Sequence, residues 1–540
     1  MTREIDPITL EIIRNQLEGI AEEMGSVLIR SAYSPNIKER QDCSTALFDH
    51  TTAKPRMIAQ AEHIPVHLGA MPAAVAAVVA KDPHPGDVWV LNDPFTGGTH
   101  LPDVTMVSPI APDGEIIGYG VSRAHHGDIG GMTPGSMPAG AREIYQEGLR
   151  LPPVPIVTGG EINQHVLSIL LANVRNTTER RADIQAQIAA NTRAADRLKE
   201  LQAEYGSELL PDAFDAVIDY SETRMRSEIA SLPDGTYHAT DYLEGDGITT
   251  DNITIAAAVT VQGETLAVDF SGTDAQVAGN TNAPRAVTES AVYFVVRAVT
   301  NPDIPPNEGC YAPIDISVPT GSLLDPTAPA AVVGGNVETS QRVTDVVLSA
   351  FAEALPESIP AQSQGTMNNL IIGSRESSGF TYYETIGGGF GGRPTADGLD
   401  GVQVGMTNTK NTPIEAVEVE YPMRVERYCL RPNSGGAGMY RGGMGIERSI
   451  TISVPATVSV LSERRIIGPR GVAGGRDGAV GENLLDNEQV PGKFTRDVPA
   501  ETTVTIRTPG GGGYGDPKAR DLDAAAADWL DKLVTTDKDT

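Results

Sequence analysis

Seven of the nine histidines in this 540-residue chain lie between His50 and His126. The segment from 91 to 128, LNDPFTGGTHLPDVTMVSPIAPDGEIIGYGVSRAHHGD, brings His100, Asp103, His125, His126 and Asp128 into one short stretch. Imidazole nitrogens beside carboxylate oxygens are the donor set of a zinc, manganese or iron site; calcium, which takes oxygen ligands, suits them less. Isolated His and Asp side chains in loops are ordinarily solvated or hydrogen-bonded. The clustering shifts the balance, because Gly97, Gly98, Gly127, Gly130 and Gly131 flank it and allow close backbone approach.

A β-hairpin would position these residues. Residues 104–110 and 116–122 are short, apolar-rich runs with β-branched members, and Ala-Pro-Asp-Gly at 111–114 between them has turn chemistry. A tight turn on Pro112 and Asp113 pairs residues whose numbers sum to 225. It sets His100 opposite His125, with Asp103 near Ser122, and a slip of one residue would bring in His126 instead. Opposed residues have Cβ atoms about 5 Å apart, close enough for two imidazoles to share an ion. Residues 45–48 read as a strand, so Asp42 just before it is a further candidate carboxylate. Residues 87–91 read as a buried strand leading into Asn92-Asp93-Pro94, which places the site at the ends of several strands. His63 and His67 are four apart, the spacing of one helical face, but the intervening Pro65 argues against that face, and neither joins the expected ligands.

The rest of the chain supplies scaffold. Asp6-Pro7 marks a helix start, followed by Leu10, Ile13, Leu17, Ile20, Met24 and Val27 at core-facing spacing. Helical periodicity runs over 163–205 with a break near Asn176. From Thr236 the pattern turns to alternation, with a second hairpin at Gln262-Gly263, interrupted by helices over 287–299 and 344–354. The chain reads as α+β, mixed helices and mainly antiparallel sheets in two or three closely packed parts: 1–210 with the metal site and long helices, 211–340 rich in β, and 341–540 rich in glycine. GGGFGGR at 387–393 and TPGGGGYGDP at 508–517 formally fit a dinucleotide pattern. The first is not followed by a helix, and in the second Asp516 sits at a helix N-cap, where it would repel phosphate. ATP, if used, belongs to another chain.

Bulk properties narrow the class. Formal charge is 41 − 71 = −30, with Arg far outnumbering Lys among the basic residues, which disfavours a nucleic-acid partner and suits a halophilic source. Three widely spaced cysteines give no disulfide framework, residues 1–16 have no signal-peptide core, and the longest apolar stretch, near 70–80, is too short for a membrane span. A cytoplasmic protein is expected.

NDPFTGGTHLPDV at 92–104, RAHHGDIGG at 123–131, NVRNTTERRADIQAQ at 173–187, NEGCYAPI at 307–314, GGNVETSQRVTD at 334–345 and TPGGGGYGDP at 508–517 resemble, in order, the motifs of the hydantoinase B/oxoprolinase family. The resemblance covers nearly the whole chain. It implies the hydrolytic subunit of an ATP-dependent cyclic amidase, whose hydantoinase A-type partner, an actin-like ATPase using ATP and Mg, phosphorylates a stable ring such as hydantoin, 5-oxoproline or another lactam. The B-type chain then opens that ring, and a heterotetramer is implied. Carried over residue by residue, the family's metal motif falls on Asp42, His100, Asp103 and His125, holding one divalent transition metal (Zn, Mn or Fe) that would lower the pKa of bound water. Asp93, His126 and Asp128 are the candidates to orient that water or protonate nitrogen. Two alternatives share the motifs: a subunit of an acetone- or acetophenone-type carboxylase, and a non-catalytic scaffold for the ATPase.

Overall fold

The computed structural model describes residues 5–50, 54–374 and 379–535. The chain is α+β as expected, with helices and mainly antiparallel strands in four sheets among the described residues. Asp6 caps α1 (Pro7–Ser31) by accepting from the N–H groups of Ile8 and Thr9, and Ile13, Leu17, Ile20, Met24 and Leu28 form the buried stripe.

The first sheet carries the site. Its strands are β1 (Cys43–Asp49), β2 (Met57–Ala61), β3 (Val88–Leu91), β4 (Asp103–Ile110), β5 (Gly118–His125), β6 (Val154–Thr158) and β7 (Glu161–Ile162), ordered β2-β1-β5-β4-β3-β6-β7. Further helices are α2 (Pro35–Lys38), α3 (Met71–Val79), α4 (Gln164–Ala172), α5 (Thr177–Tyr205) and α6 (Leu209–Ile229). The helix break stands where the sequence places it, at Asn176 with φ 52°. Leu47 and Ala124 pack with α1, α5 and α6 on one face of the sheet. On the other, Phe48, Val107 and Val121 join α3 and α7 (Arg285–Val299) in one core.

The hairpin register differs from the sequence expectation. Asp103 pairs with His125 and Met106 with Ser122, so paired numbers sum to 228, not 225. A turn does form from Ala111 to Gly114, whose φ is +89°, but Glu115, Ile116 and Ile117 follow before β5 begins, and Ile117 N–H closes the loop onto Ile110 O. Every residue of β4 and β5 is buried, so no polar/apolar alternation was present in the sequence to correct the register.

The middle sheet comprises β8 (Gly235–Glu244), β9 (Asn252–Gln262), β10 (Thr265–Asp269) and β11 (Ile314–Ser317), in the order β11-β10-β9-β8. Residues of β9 alternate between buried and part-exposed, and its hairpin to β10 turns at Gly263, as read from the sequence. Beyond α8 (Glu308–Tyr311), a π-helical turn over Gly335–Thr339 leads directly into α9 (Ser340–Ala354). Two further sheets of four and five strands follow in the C-terminal part. The glycine runs there pack backbone to backbone: a Cβ on Gly442 would stand 1.9 Å from Gly511 O, and one on Gly510 1.8 Å from Ser434 O. Close chain approach accounts for these glycines. Among the described residues no helix is long and apolar enough to cross a membrane.

Candidate metal centre

Since β5 runs antiparallel to both β1 and β4, the starts of β1 and β4 and the end of β5 meet at one end of the sheet. Asp42 stands just before β1, Asp103 opens β4 and His125 closes β5. Backbone bonds extend the pairing past the strands: His125 N–H donates to Asp42 O (3.0 Å) and His126 N–H to Pro102 O (2.8 Å). His100 is not in a strand. It lies in the turn that Asp103 N–H closes onto His100 O, and from there its ring comes within 5.1 Å of the His125 ring, centroid to centroid.

His100, Asp103 and His125 each offer a ligand atom within 4.8 Å of the others, and all three are buried. His100 Nε2 is 3.2 Å from Asp103 Oδ1. Neither nitrogen of His100 has a hydrogen-bond partner, nor does His125 Nε2. An unpaired buried polar atom costs about 1–3 kcal/mol, and one nitrogen of each neutral imidazole carries a lone pair, so the two rings beside the Asp103 carboxylate suit a shared cation. The residues present therefore fit a transition-metal ion.

The cavity beside them is about 20 Å³, lined on one side by Asp42, His67, Asp103 and His125 and on the other by Ile64, Val66, Asn336, Val337, Met367 and Met406, with Tyr383, Thr385 and Thr407. Burial, reinforced by the charge of Asp103, pushes the Asp42 carboxyl up to about 7. Burial acts in the same direction on Asp103, but the neighbouring His100 and His67 outweigh it and hold Asp103 well below the usual carboxylate range. His125 is driven well below the ordinary imidazole value, first by burial and then by His100, which keeps it neutral and available as a ligand. Its ring is wedged between the Tyr383 ring, stacked at 4.8 Å, and the Asn36 amide, whose Nδ2 is 3.2 Å from Nδ1. For Nε2 to bind metal, Nδ1 must carry the proton, so the amide must present its oxygen to the ring instead.

The other expected residues are placed differently. Asp42 lines the cavity but falls outside the 4.8 Å cluster. His126 turns to the helix side of the sheet, where Nε2 meets Gln187 Oε1 at 2.9 Å; burial and then Arg180 lower it to about 4. Asp93 does not join the site. It caps a short turn by accepting from Phe95 N–H and Thr96 Oγ1 and pairs with Arg150 at 2.9 Å. Asp128 is likewise occupied, accepting from the N–H groups of Gly130, Gly135 and Arg175 and from the Arg175 guanidinium. Both carboxylates brace loops, which is why Asp and Gly recur together in this segment.

His67 is the residue the sequence reading passed over. Pro65 does prevent a shared helical face: His63 packs against Gly25 of α1, while the 3-10 turn Pro65–His67 swings His67 alone into the cavity. The detectable signal was Pro65 as the first residue of a turn, where proline is at home, and not as the breaker of a helix.

Across residues 6–517 the chain matches the model of the hydantoinase B/oxoprolinase family. It is 42% identical to 5-oxoprolinase 1 of Arabidopsis thaliana over 94% of this chain, which spans 42% of that protein's length. It is 33% identical to a chain of a Pseudomonas species named for the B component of a D-/L-hydantoinase, over 99% of this chain and 94% of the other. The crystal structure of an ATP-dependent caprolactamase from Pseudomonas jessenii superposes with a TM-score of 0.90 at 30% identity, covering 99% of this chain and 95% of that one. Nucleotide-free acetone carboxylase shares the fold, at a TM-score of 0.89 and 19% identity, over 99% of this chain and 79% of that one. The motifs, the sheet that carries them and these likenesses agree: the chain belongs to the hydantoinase B/oxoprolinase family.

Proposed function

We propose that this chain is the metal-dependent, ring-opening component of an ATP-dependent cyclic amidase, acting on a hydantoin, 5-oxoproline or similar lactam activated by a hydantoinase A-type partner that consumes the ATP. The observation that carries the reading is the set of unpartnered buried nitrogens of His100 and His125 beside Asp103, next to a small cavity that Asp103 and His125 line. The named activities of the relatives support the same chemistry, and the glycine runs offer no phosphate loop of this chain's own.

His100, Asp103 and His125, with Asp42 across the cavity, would hold one divalent ion. Such an ion, when bound, supplies Lewis acidity, which polarises a carbonyl or brings the pKa of water towards 7. The chain's own residues do the rest. Asp42 and Asp103 provide negative charge, Tyr383 fixes the His125 ring, and Ile64, Val66, Val337, Met367 and Met406 exclude bulk water. At about 20 Å³ the cavity has room for little more than a water, so a ring enters only if the wall moves.

Metal content by mass spectrometry, wild type beside His100→Ala and His125→Ala, tests the site. About one ion per chain, lost in both variants, is the expected result; a wild type without metal after metal-replete expression would remove the reading. Ring opening with ATP and the A-type partner, with and without bicarbonate, then decides the reaction, since a carboxylated product would replace the amidase by a carboxylase.

A further inference from the structure

The segment GGNVETSQRVTD at 334–345 supplies none of the expected ligands, yet its π-helical turn Gly335–Thr339 forms part of the wall of the small cavity beside them, through Asn336 and Val337. The turn is held firmly from behind. Gly335 N–H donates to Asn280 O at 3.0 Å, and a Cβ on Gly335 would stand 1.9 Å from Asn282 O, so the two segments touch backbone to backbone. Thr339 Oγ1 donates to Thr281 O, and Glu338 accepts from Met367 N–H and from Asn369 Nδ2.

Asn336 differs from these neighbours. It is 3% exposed, its Oδ1 has no hydrogen-bond partner, and its Nδ2 makes no hydrogen bond among the described residues. Every other buried asparagine among the described residues makes at least one side-chain hydrogen bond. Asn282 and Asn369, which pack against the same turn, each use both ends of the carboxamide. A buried carboxamide with nothing to bond costs free energy that an apolar side chain of the same shape would not. Such a group in the wall of a cavity beside a reaction centre is explained by a ligand that completes it.

The shape of the group indicates the ligand. A carboxamide presents one donor and one acceptor along a single edge. A lactam, imide or hydantoin ring holds its amide cis, so its N–H and C=O also lie along one edge, and the two edges can pair through two hydrogen bonds. A ketone or a lactone offers the acceptor alone. We propose that Asn336 is a substrate-binding residue for cyclic amides with a free N–H, reading the amide edge of the ring beside the metal centre. Met367 and Met406 line the same cavity, and their unbranched side chains repack readily, which gives a ring room at this wall. The inference rests on the ring-opening reading and adds to it the feature by which the ring is recognised.

The test is ATP-driven ring opening by the full chain with an A-type partner, with hydantoin and 5-oxoproline as probes. Asn336→Leu and Asn336→Ala should each lower the amount of ring opened per ATP consumed by about 100-fold, the effect of two lost hydrogen bonds, with bound metal at the wild-type level. Because the folded chain gives Asn336 no partner of its own, the urea midpoint of Asn336→Leu should equal or exceed that of the wild type. Ring opening within about threefold of the wild type in both variants would overturn the inference and leave the carboxamide to water. A midpoint of Asn336→Leu well below the wild type would make Asn336 a structural part of the wall and overturn it as well. If the wild type opens neither ring, the ring-opening reading falls and this inference falls with it.

Discussion

Two buried clusters of charged side chains in this molecule differ in how their carboxylates are matched. Between the middle sheet, α9 and the C-terminal sheets, Asp241 meets Arg342, Arg464 and Arg470 at 3.1–3.3 Å, Glu463 meets Arg342 and Lys493, and Asp345 meets Arg464. Burial would raise the Asp241 carboxyl, and the three guanidinium groups hold it well below the usual range instead. At the end of the first sheet, among the described residues, Asp103 makes its close ionic contacts with imidazoles, while Arg123, which acts on it from farther off, donates to Thr105 Oγ1, Ala70 O and Gly97 O. Arg40 stands beside Asp42 yet donates to Tyr383 O and to Thr385 and Thr409 hydroxyls. The first cluster carries its own countercharge and fastens parts of the chain together. The second has no arginine or lysine in ion-pair contact with its carboxylates among the described residues, which suits the proposed metal site.

The comparison breaks if removing a carboxylate has the same consequence in both places. Asp241→Leu removes the anion that the buried Arg342 and Arg464 share with the half-exposed Arg470, leaving Arg342 to Glu463 and Arg464 to Asp345, and should lower stability by about 3 kcal/mol in urea unfolding, with any bound metal retained by the folded protein. Asp103→Asn keeps the side chain's shape and its acceptor for Thr99 Oγ1, so the metal-free protein should change by about 1 kcal/mol or less while metal binding is lost. Equal destabilisation by the two would mean that Asp103 is a structural carboxylate.

How much of this was legible in the sequence follows from the same contrast. His100, Asp103 and His125 stand within 26 residues of one another, so they could be named as candidate ligands from spacing, and the family motif adds Asp42. Their register could not: the three extra residues after Gly114 and the uniformly buried strands hid it. Asp93 and Asp128, candidates for orienting water or protonating nitrogen, make loop-bracing hydrogen bonds in the structure, and the sequence alone does not separate such an Asp from one that faces a site. The ionic cluster was not legible at all. Asp241, Arg342 and Glu463 are separated by about a hundred residues each, and only the packing of three sheets brings them together.

A third kind of buried carboxylate sharpens the distinction. Glu147 has no cation but accepts from the N–H groups of Val332 and Val333, and burial pushes it up to about 8 from 4.5. Because the folded chain holds this proton more tightly than the unfolded one, the contribution of Glu147 to stability is fully present below pH 4.5. It is lost as pH rises towards 8, with a slope of at most about 1.4 kcal/mol per pH unit. Glu147→Gln removes the slope, so urea midpoints of variant and wild type should draw together or cross in the variant's favour between pH 5.5 and 8.5. A constant gap would place the proton elsewhere.

Around the metal centre, smaller effects report how the ligands are oriented. Asn36→Leu deprives His125 Nδ1 of its polar neighbour and should speed chelator-driven metal loss about tenfold, roughly 1.4 kcal/mol, with the fold intact. Asn36→Asp, which offers only acceptors to Nδ1–H, should slow it. Opposite signs for the two variants distinguish an orienting role from simple packing, which either substitution would disturb alike.

The smallest expected effect concerns entry. A cleft of about 510 Å³, lined by Phe294, Leu348, Phe390 and Arg470 among others, adjoins the small cavity through one stretch of chain: Val404 and Gly405 face the cleft, and Met406 and Thr407 face the cavity. Gln341 on α9 donates to Val404 O at 2.9 Å and holds that stretch in place. Gly405 has φ +57°, and a Cβ there would stand 2.2 Å from Gln341 Oε1, so Gly405→Ala strains the backbone and pushes the glutamine off its carbonyl. If this wall is what a ring must pass, the substitution should change KM a few-fold while metal content and ATP hydrolysis by the partner stay as they were. If kcat falls and KM holds, the wall serves the reacting geometry and not access, and the way in lies on another side of the cavity.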